Sequence, residues 1–141
     1  MILLIGGCVD SLAPDVGPIA HAPCTDDDSN PDRDVHFAAD LHDGIFASET
    51  FHCVRCHTPS GATPIGYEVT GLDLSSYDTL TAGARGFAVV VPGAPCASVL
   101  VQKLGEAPPF GGRMPLDGPP FLTDDDLQLV ADWIAEGARE N

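Results

Sequence analysis

Basic residues are scarce in this 141-residue chain: six Lys and Arg stand against 21 Asp and Glu, giving a formal charge of -15. That scarcity excludes partners gripped by displacing counterions, namely DNA, RNA and anionic lipid headgroups. A protein partner with a basic face is the natural complement. Long apolar runs are missing as well. The run from Met1 to Gly7 falls far short of the roughly 20 residues that cross a bilayer, so no transmembrane span is expected. It also lacks the basic flank and longer apolar core of an ordinary secretory signal. A second CxxC is absent, and so is an HxxxH, the ligand pairs a structural zinc site would usually add. Long regular elements are not expected either, because 15 glycines and 13 prolines break the chain into short pieces.

Against these absences stands one dense motif, Cys53-Val54-Arg55-Cys56-His57. Two cysteines three positions apart on a helical turn project to the same side, so both thiols reach the two vinyl groups of one porphyrin edge. The histidine that follows is then turned toward the iron. CxxCH is the attachment pattern of a c-type haem, with Cys53 and Cys56 forming thioethers and His57 supplying the proximal nitrogen. A thioredoxin-like dithiol would instead need CxxC to follow a strand, whereas the residues before Cys53 read as helical. A bound apolar disc also supplies core that a chain of this length otherwise lacks.

Taken in order, residues 1–8 end in Ile5-Gly6-Gly7-Cys8, which resembles the end of a bacterial lipoprotein signal. Cys8 is therefore a candidate lipidation site, and a lipid anchor is one expectation. Residues 9–34 are rich in Pro, Asp and Ser and read as an acidic tether. Its alternating Asp26, Asp28, Asn30 and Asp32 suggest a calcium loop, but Pro31 and Phe37 occupy the positions where an EF-hand wants Gly and Glu. Residues 35–141 form the domain. Phe37, Leu41, Ile45 and Phe46 or Ala47 predict a helix from Val35 to His52, broken near Gly44. His36, His42 and His52 in this region are weaker candidates for iron ligands. Thr58 to Gly71 reads as a loop, Leu72 to Thr81 as the start of a short helix capped by Ser75 or Ser76, and Ala97 to Leu104 as another. The segment from Gly105 to Leu122 is a loop rich in proline and glycine, with Met114 inside it. The last helix has the clearest signals: Thr123 as N-cap, Asp126 closing a capping box, Leu122 and Leu127 as a staple, and Leu127, Val130, Trp133, Ile134 and Ala138 as its buried stripe.

Gly71-Leu-Asp-Leu-Ser-Ser-Tyr-Asp-Thr-Leu80, Val91-Pro-Gly-Ala-Pro95, Ser98-Val-Leu100, Arg113-Met-Pro115 and Leu122-Thr-Asp-Asp-Asp-Leu127 through Trp133 to Ala138 together resemble the planctomycete-type cytochrome c domain. The resemblance runs from about Val35 to Ala138. It implies an all-α, class I-like cytochrome c fold, with N- and C-terminal helices crossing beside one covalently bound haem c. It implies His57 and Met114 as the axial ligands of the iron. It also implies haem attachment outside the bacterial cytoplasm, in the periplasm or at the outer surface, where disulfides persist. Cys24 and Cys96 lie outside the family pattern. They are the cysteines left once haem and lipid are assigned, and are a candidate disulfide. Arg55 and Arg113 are candidate partners for the haem propionates, and Phe46, Phe51, Phe110 and Phe121 are candidate packing residues.

The expected function is a one-electron carrier rather than an enzyme, working with a redox protein that offers a basic docking face. Two rivals remain open: a haem-containing subunit anchored in a larger oxidoreductase, and a five-coordinate haem protein that acts on peroxide or binds a gas if Met114 does not ligate.

Overall fold

The structure is a computed structural model and describes residues 24–141. The expectations for the signal at 1–8, lipidation of Cys8 and the first part of the tether lie outside those residues. The described residues form helices joined by loops, with no strand and a single isolated bridge between Ala84 and Phe87. The helices are α1 (Phe37–Phe46), α2 (Cys53–Cys56), α3 (Ile65–Thr70), α4 (Tyr77–Ala82), α5 (Val99–Leu104) and α6 (Asp124–Ala135), with single 3-10 turns at Asp26–Asp28 and Pro95–Ala97.

The first helix departs from expectation in winding and in length. α1 is a π-helix, and the Ala47 N–H closes it onto the His42 carbonyl, five residues back, at 2.7 Å. Gly44 does not break it. What ends it is Ser48, whose hydroxyl donates to the Ile45 carbonyl at 2.9 Å and draws the chain out of the helix. Phe37, Leu41, Ile45 and Phe46 are buried as the periodicity predicts. They meet α6, whose Val130, Ala131, Trp133 and Ile134 are buried in turn.

α6 follows its sequence signals closely. Thr123 Oγ1 accepts from the Asp126 N–H, and the Asp126 side chain accepts from the Thr123 N–H, so the capping box is complete. At the other end, the Ala138 N–H reaches the Trp133 carbonyl and the Gly137 N–H reaches that of Ile134. This Schellman closure needs the positive φ of 99° at Gly137. Trp133 is fully buried and packs with Phe37 and Tyr77, ring centroids 5.6 and 6.4 Å away. Its indole N–H donates to the Arg139 carbonyl. Packing of α1 on α6 around this aromatic group fixes the frame on which α2 and its motif sit.

Residues 24–35 lie against α6. Asp132 and Glu136, one turn apart, present carboxylates that are 2% and 1% exposed. Asp132 accepts from the Asn30 N–H at 2.6 Å, from Arg33 at 2.9 Å and from Gln128 at 2.8 Å, and Glu136 accepts from the Val35 N–H at 3.1 Å. A Cys24–Cys96 disulfide, Cα atoms 5.6 Å apart, ties the same stretch to the turn before α5. The Asp26 carboxylate accepts from the Cys96 N–H at 2.7 Å, so this acidic stretch engages the domain surface.

Burial alone would raise the Asp132 carboxyl, but the hydrogen bonds from Asn30, Arg33 and Gln128 outweigh it and hold it below its ordinary 3.8. A carboxyl depressed by folding adds stability that is fully present above its unfolded value and is lost as pH falls through the folded one. Thermal unfolding is therefore expected to show stability declining as pH drops below about 4. Asp132→Ala should remove about 3 kcal/mol at pH 7, since buried donors lose their acceptor. Arg33→Ala should remove under about 1 kcal/mol, because Arg33 is 41% exposed and its charge is screened. Equal effects of the two substitutions would contradict this assignment.

Non-reducing peptide mapping should recover one cross-linked peptide pair joining Cys24 to Cys96. Breaking the bridge, which closes a span of 72 residues, should lower stability by roughly 4 kcal/mol.

Candidate functional site

The motif sits on its own four-residue turn, α2, introduced by a residue in an uncommon conformation. His52 has φ 53° and ψ 28°, the left-handed region, and its carbonyl accepts from the Arg55 N–H. Such a non-glycine residue costs about 1 to 3 kcal/mol, and such residues persist where surrounding contacts over-determine them. Here Phe51 is buried on one side, and its N–H donates to Ser48 Oγ. On the other side the His57 N–H closes α2 on the Cys53 carbonyl at 2.9 Å, and the Leu74 N–H binds the His57 carbonyl at 2.7 Å. The motif is thus clamped from both ends.

Cys53, Cys56 and His57 face a cleft with about 1040 Å³ of empty space, its open mouth included. Phe46 and Phe51, Leu72 and Leu74, and Val99, Leu100 and Leu104 of α5 all line it. Met114 closes it from the loop after α5, with Pro115 and Leu116 beside it. Residues 57 positions apart, His57 and Met114, therefore line one cavity. Nearly all of its lining is apolar, with Lys103 and Asp117 the charged exceptions.

Burial pushes the His57 imidazole down from its ordinary value, with the Leu72 backbone working partly against it. The neutral ring that results has a lone pair to give a metal. Its Nδ1 is buried and finds no partner at full hydrogen-bond geometry, so the Leu72 backbone acts on the ring only from a weaker position. A buried ring nitrogen without a partner is uncommon in a folded chain and marks a site built for more than packing. The Cys53 thiol is pushed up to about 11, chiefly by burial and further by Cys56 and Asp117, against an opposing backbone hydrogen bond. A redox dithiol works through the opposite shift, which stabilises the thiolate. Among the described residues no group of three or more His, Cys, Asp or Glu is arranged to hold a metal ion.

Other candidate residues fall in different places. Phe110 lines the cleft, but Phe121 does not, and instead lies under Arg113, whose guanidinium is 4.6 Å from the ring centroid. Arg113 donates to the Leu104 carbonyl at 2.8 Å and to that of Leu122, while Arg55 pairs with Asp117 at 3.0 Å. Neither arginine forms the cleft wall, although the partner of Arg55 does. His36 and His42 also lie outside it; His52 is part of it.

The reading of Thr58–Gly71 as loop missed α3. Its Ile65 and Gly66 line the cleft, and the helix ends at Gly71 with φ 72°. A Cβ on Gly66 would meet the His57 ring at 2.7 Å, so the absence of a side chain there makes room for the imidazole. Ile65 and Val69, one helical turn apart, were the available signal, overshadowed by the Gly, Pro and Ser around them.

Helix propensity alone would make Gly66→Ala stabilising by about 1 kcal/mol. The clash with His57 is expected to reverse that sign, to a net loss of about 1 to 3 kcal/mol in denaturant unfolding. A gain in stability would show that the ring has room to move away.

Two thiols three positions apart on one turn, an imidazole and a thioether thus meet in a largely apolar cleft. Those residues fit haem c. A family model described as Planctomycete cytochrome C matches residues 53–115, from the first motif cysteine to the proline after Met114. No curated protein and no solved structure matches the chain. The match takes in the motif, Leu72, Leu74, the α5 lining residues and Met114, and it supports a planctomycete-type cytochrome c domain.

Proposed function

We propose that the chain is a single-haem electron carrier working outside the cytoplasm, in the periplasm or at the outer surface. What carries this reading is the meeting of Cys53, Cys56 and His57 with Met114 in one apolar cleft. Cys53 and Cys56 would hold the macrocycle through thioethers, and His57 and Met114 would hold the iron. When bound, haem c supplies a one-electron ferrous/ferric couple. The chain's own contribution is electrostatic and steric. Apolar walls would keep water from the iron, burial favours the neutral form of His57, and the Met114 thioether would favour the ferrous state and so raise the potential.

With two protein ligands no position is left open for a substrate, which weighs against the peroxide-active and gas-binding rivals. The Cys24–Cys96 bridge supports an oxidising compartment. A net charge of -15 supports a redox partner with a basic docking face, met faster at low salt than at high. Anchoring in a larger oxidoreductase turns on Cys8, outside the described residues.

Protein matured in a host competent for haem attachment should keep its porphyrin through acid-acetone extraction, at one haem per chain, and titrate as a single one-electron wave. Cys53→Ser together with Cys56→Ser should release the haem to the solvent. Complete extraction of haem from the unaltered protein would contradict the proposal.

A further inference from the structure

We propose that Lys103 is a positioning residue for Met114: from the end of α5 its ammonium and its carbonyl together hold the 110–114 stretch at the cleft wall. This rests on reading Met114 as the sixth ligand.

The stretch has little to hold itself in place. Phe110 and Gly112 are exposed, Gly111 has φ 58°, and the stretch belongs to no helix. The contacts that fix them come from one residue. Lys103 Nζ donates to the Phe110 carbonyl at 2.6 Å and to the Gly112 carbonyl at 2.5 Å, and lies 4.9 Å from the centroid of the Phe110 ring. The Lys103 carbonyl accepts from the Met114 N–H at 2.8 Å. Four contacts from one residue therefore span Phe110 to Met114 and set where Met114 begins.

A lysine in the last turn of a helix ordinarily extends into solvent beside its own carbonyls. This one reaches seven and nine residues ahead, and in a chain with 21 acids both its hydrogen bonds go to backbone carbonyls of the loop. It is also the only lysine in the sequence. The α5 carbonyls that lack partners within the helix complete the clamp, since that of Leu104 is taken by Arg113 Nε at 2.8 Å. Charge-assisted bonds to carbonyls are strong enough to order a short loop. Lys103→Met removes the ammonium while keeping a long apolar stem along the cleft wall.

The test uses the haem-loaded protein and two readouts: the rate at which added imidazole takes the sixth position in the ferric state, and amide hydrogen exchange across residues 110–116. In Lys103→Met both should quicken about tenfold, a change of about 1.4 kcal/mol, while Lys103→Arg returns them toward the unaltered values. A change under threefold in both would overturn the proposal. Met114→Ala separates this failure from that of the underlying reading. If Met114 is not the ligand, imidazole binds Met114→Ala no faster than the unaltered protein, and exchange alone then decides the clamp. Should Lys103→Met fail to mature, reductive dimethylation of the folded protein leaves that side chain one N–H for two carbonyls. At least threefold faster exchange supports the clamp, and unchanged exchange removes it.

Discussion

Apolar walls that face each other across an open cleft should collapse in water, because apolar surface gains about 25 cal/mol for each Å² it buries. Phe46, Phe51, Leu100 and Leu104 face such a cleft here, in a chain whose length limits the core it can build. A flat apolar cofactor resolves the conflict by becoming the missing layer, with each wall burying its surface against a face of the disc. Everything else follows from holding those walls apart at the right distance. α1 on α6 sets the floor, Ser48 ends α1 so that the motif takes its own turn, and the absent side chain at Gly66 leaves space for the His57 ring.

Charge is arranged around the same constraint. The chain is acidic overall, yet the cleft is nearly free of charge, so a change of charge at the iron would be felt with little screening. Two buried carboxylates, Asp132 and Glu136, sit on α6 and catch backbone N–H groups of residues 30–35. Their work is mechanical, binding the segment before α1 to the last helix and so bracing the two helices that support the cleft.

Much of this was legible in the residues. CxxCH marks the attachment point because its spacing is local, and α6 is legible because capping and staple signals are local too. The pairing of Cys24 with Cys96 came from elimination among five cysteines, and the structure joins the same two. Less legible were features that depend on distant neighbours. The π-winding of α1 leaves its apolar spacing helical, so periodicity could not distinguish it from an α-helix. α3 is short and set among turn-formers, and Gly66 matters through His57, nine residues earlier. Arg113 and Arg55, candidate propionate partners in the sequence, donate to the Leu104 carbonyl and to Asp117, bonds the sequence does not display. The role of Lys103 depends on carbonyl directions, which a sequence does not display.

The central claim is that His57 and Met114, which line one cleft, share one iron. X-ray absorption at the iron edge of the haem-loaded ferric protein measures this most directly, compared with Met114→Ala. The account predicts five nitrogen neighbours and one sulfur, with the sulfur lost in Met114→Ala. A sulfur-free shell in the unaltered protein, or a sulfur that survives the substitution, would contradict it.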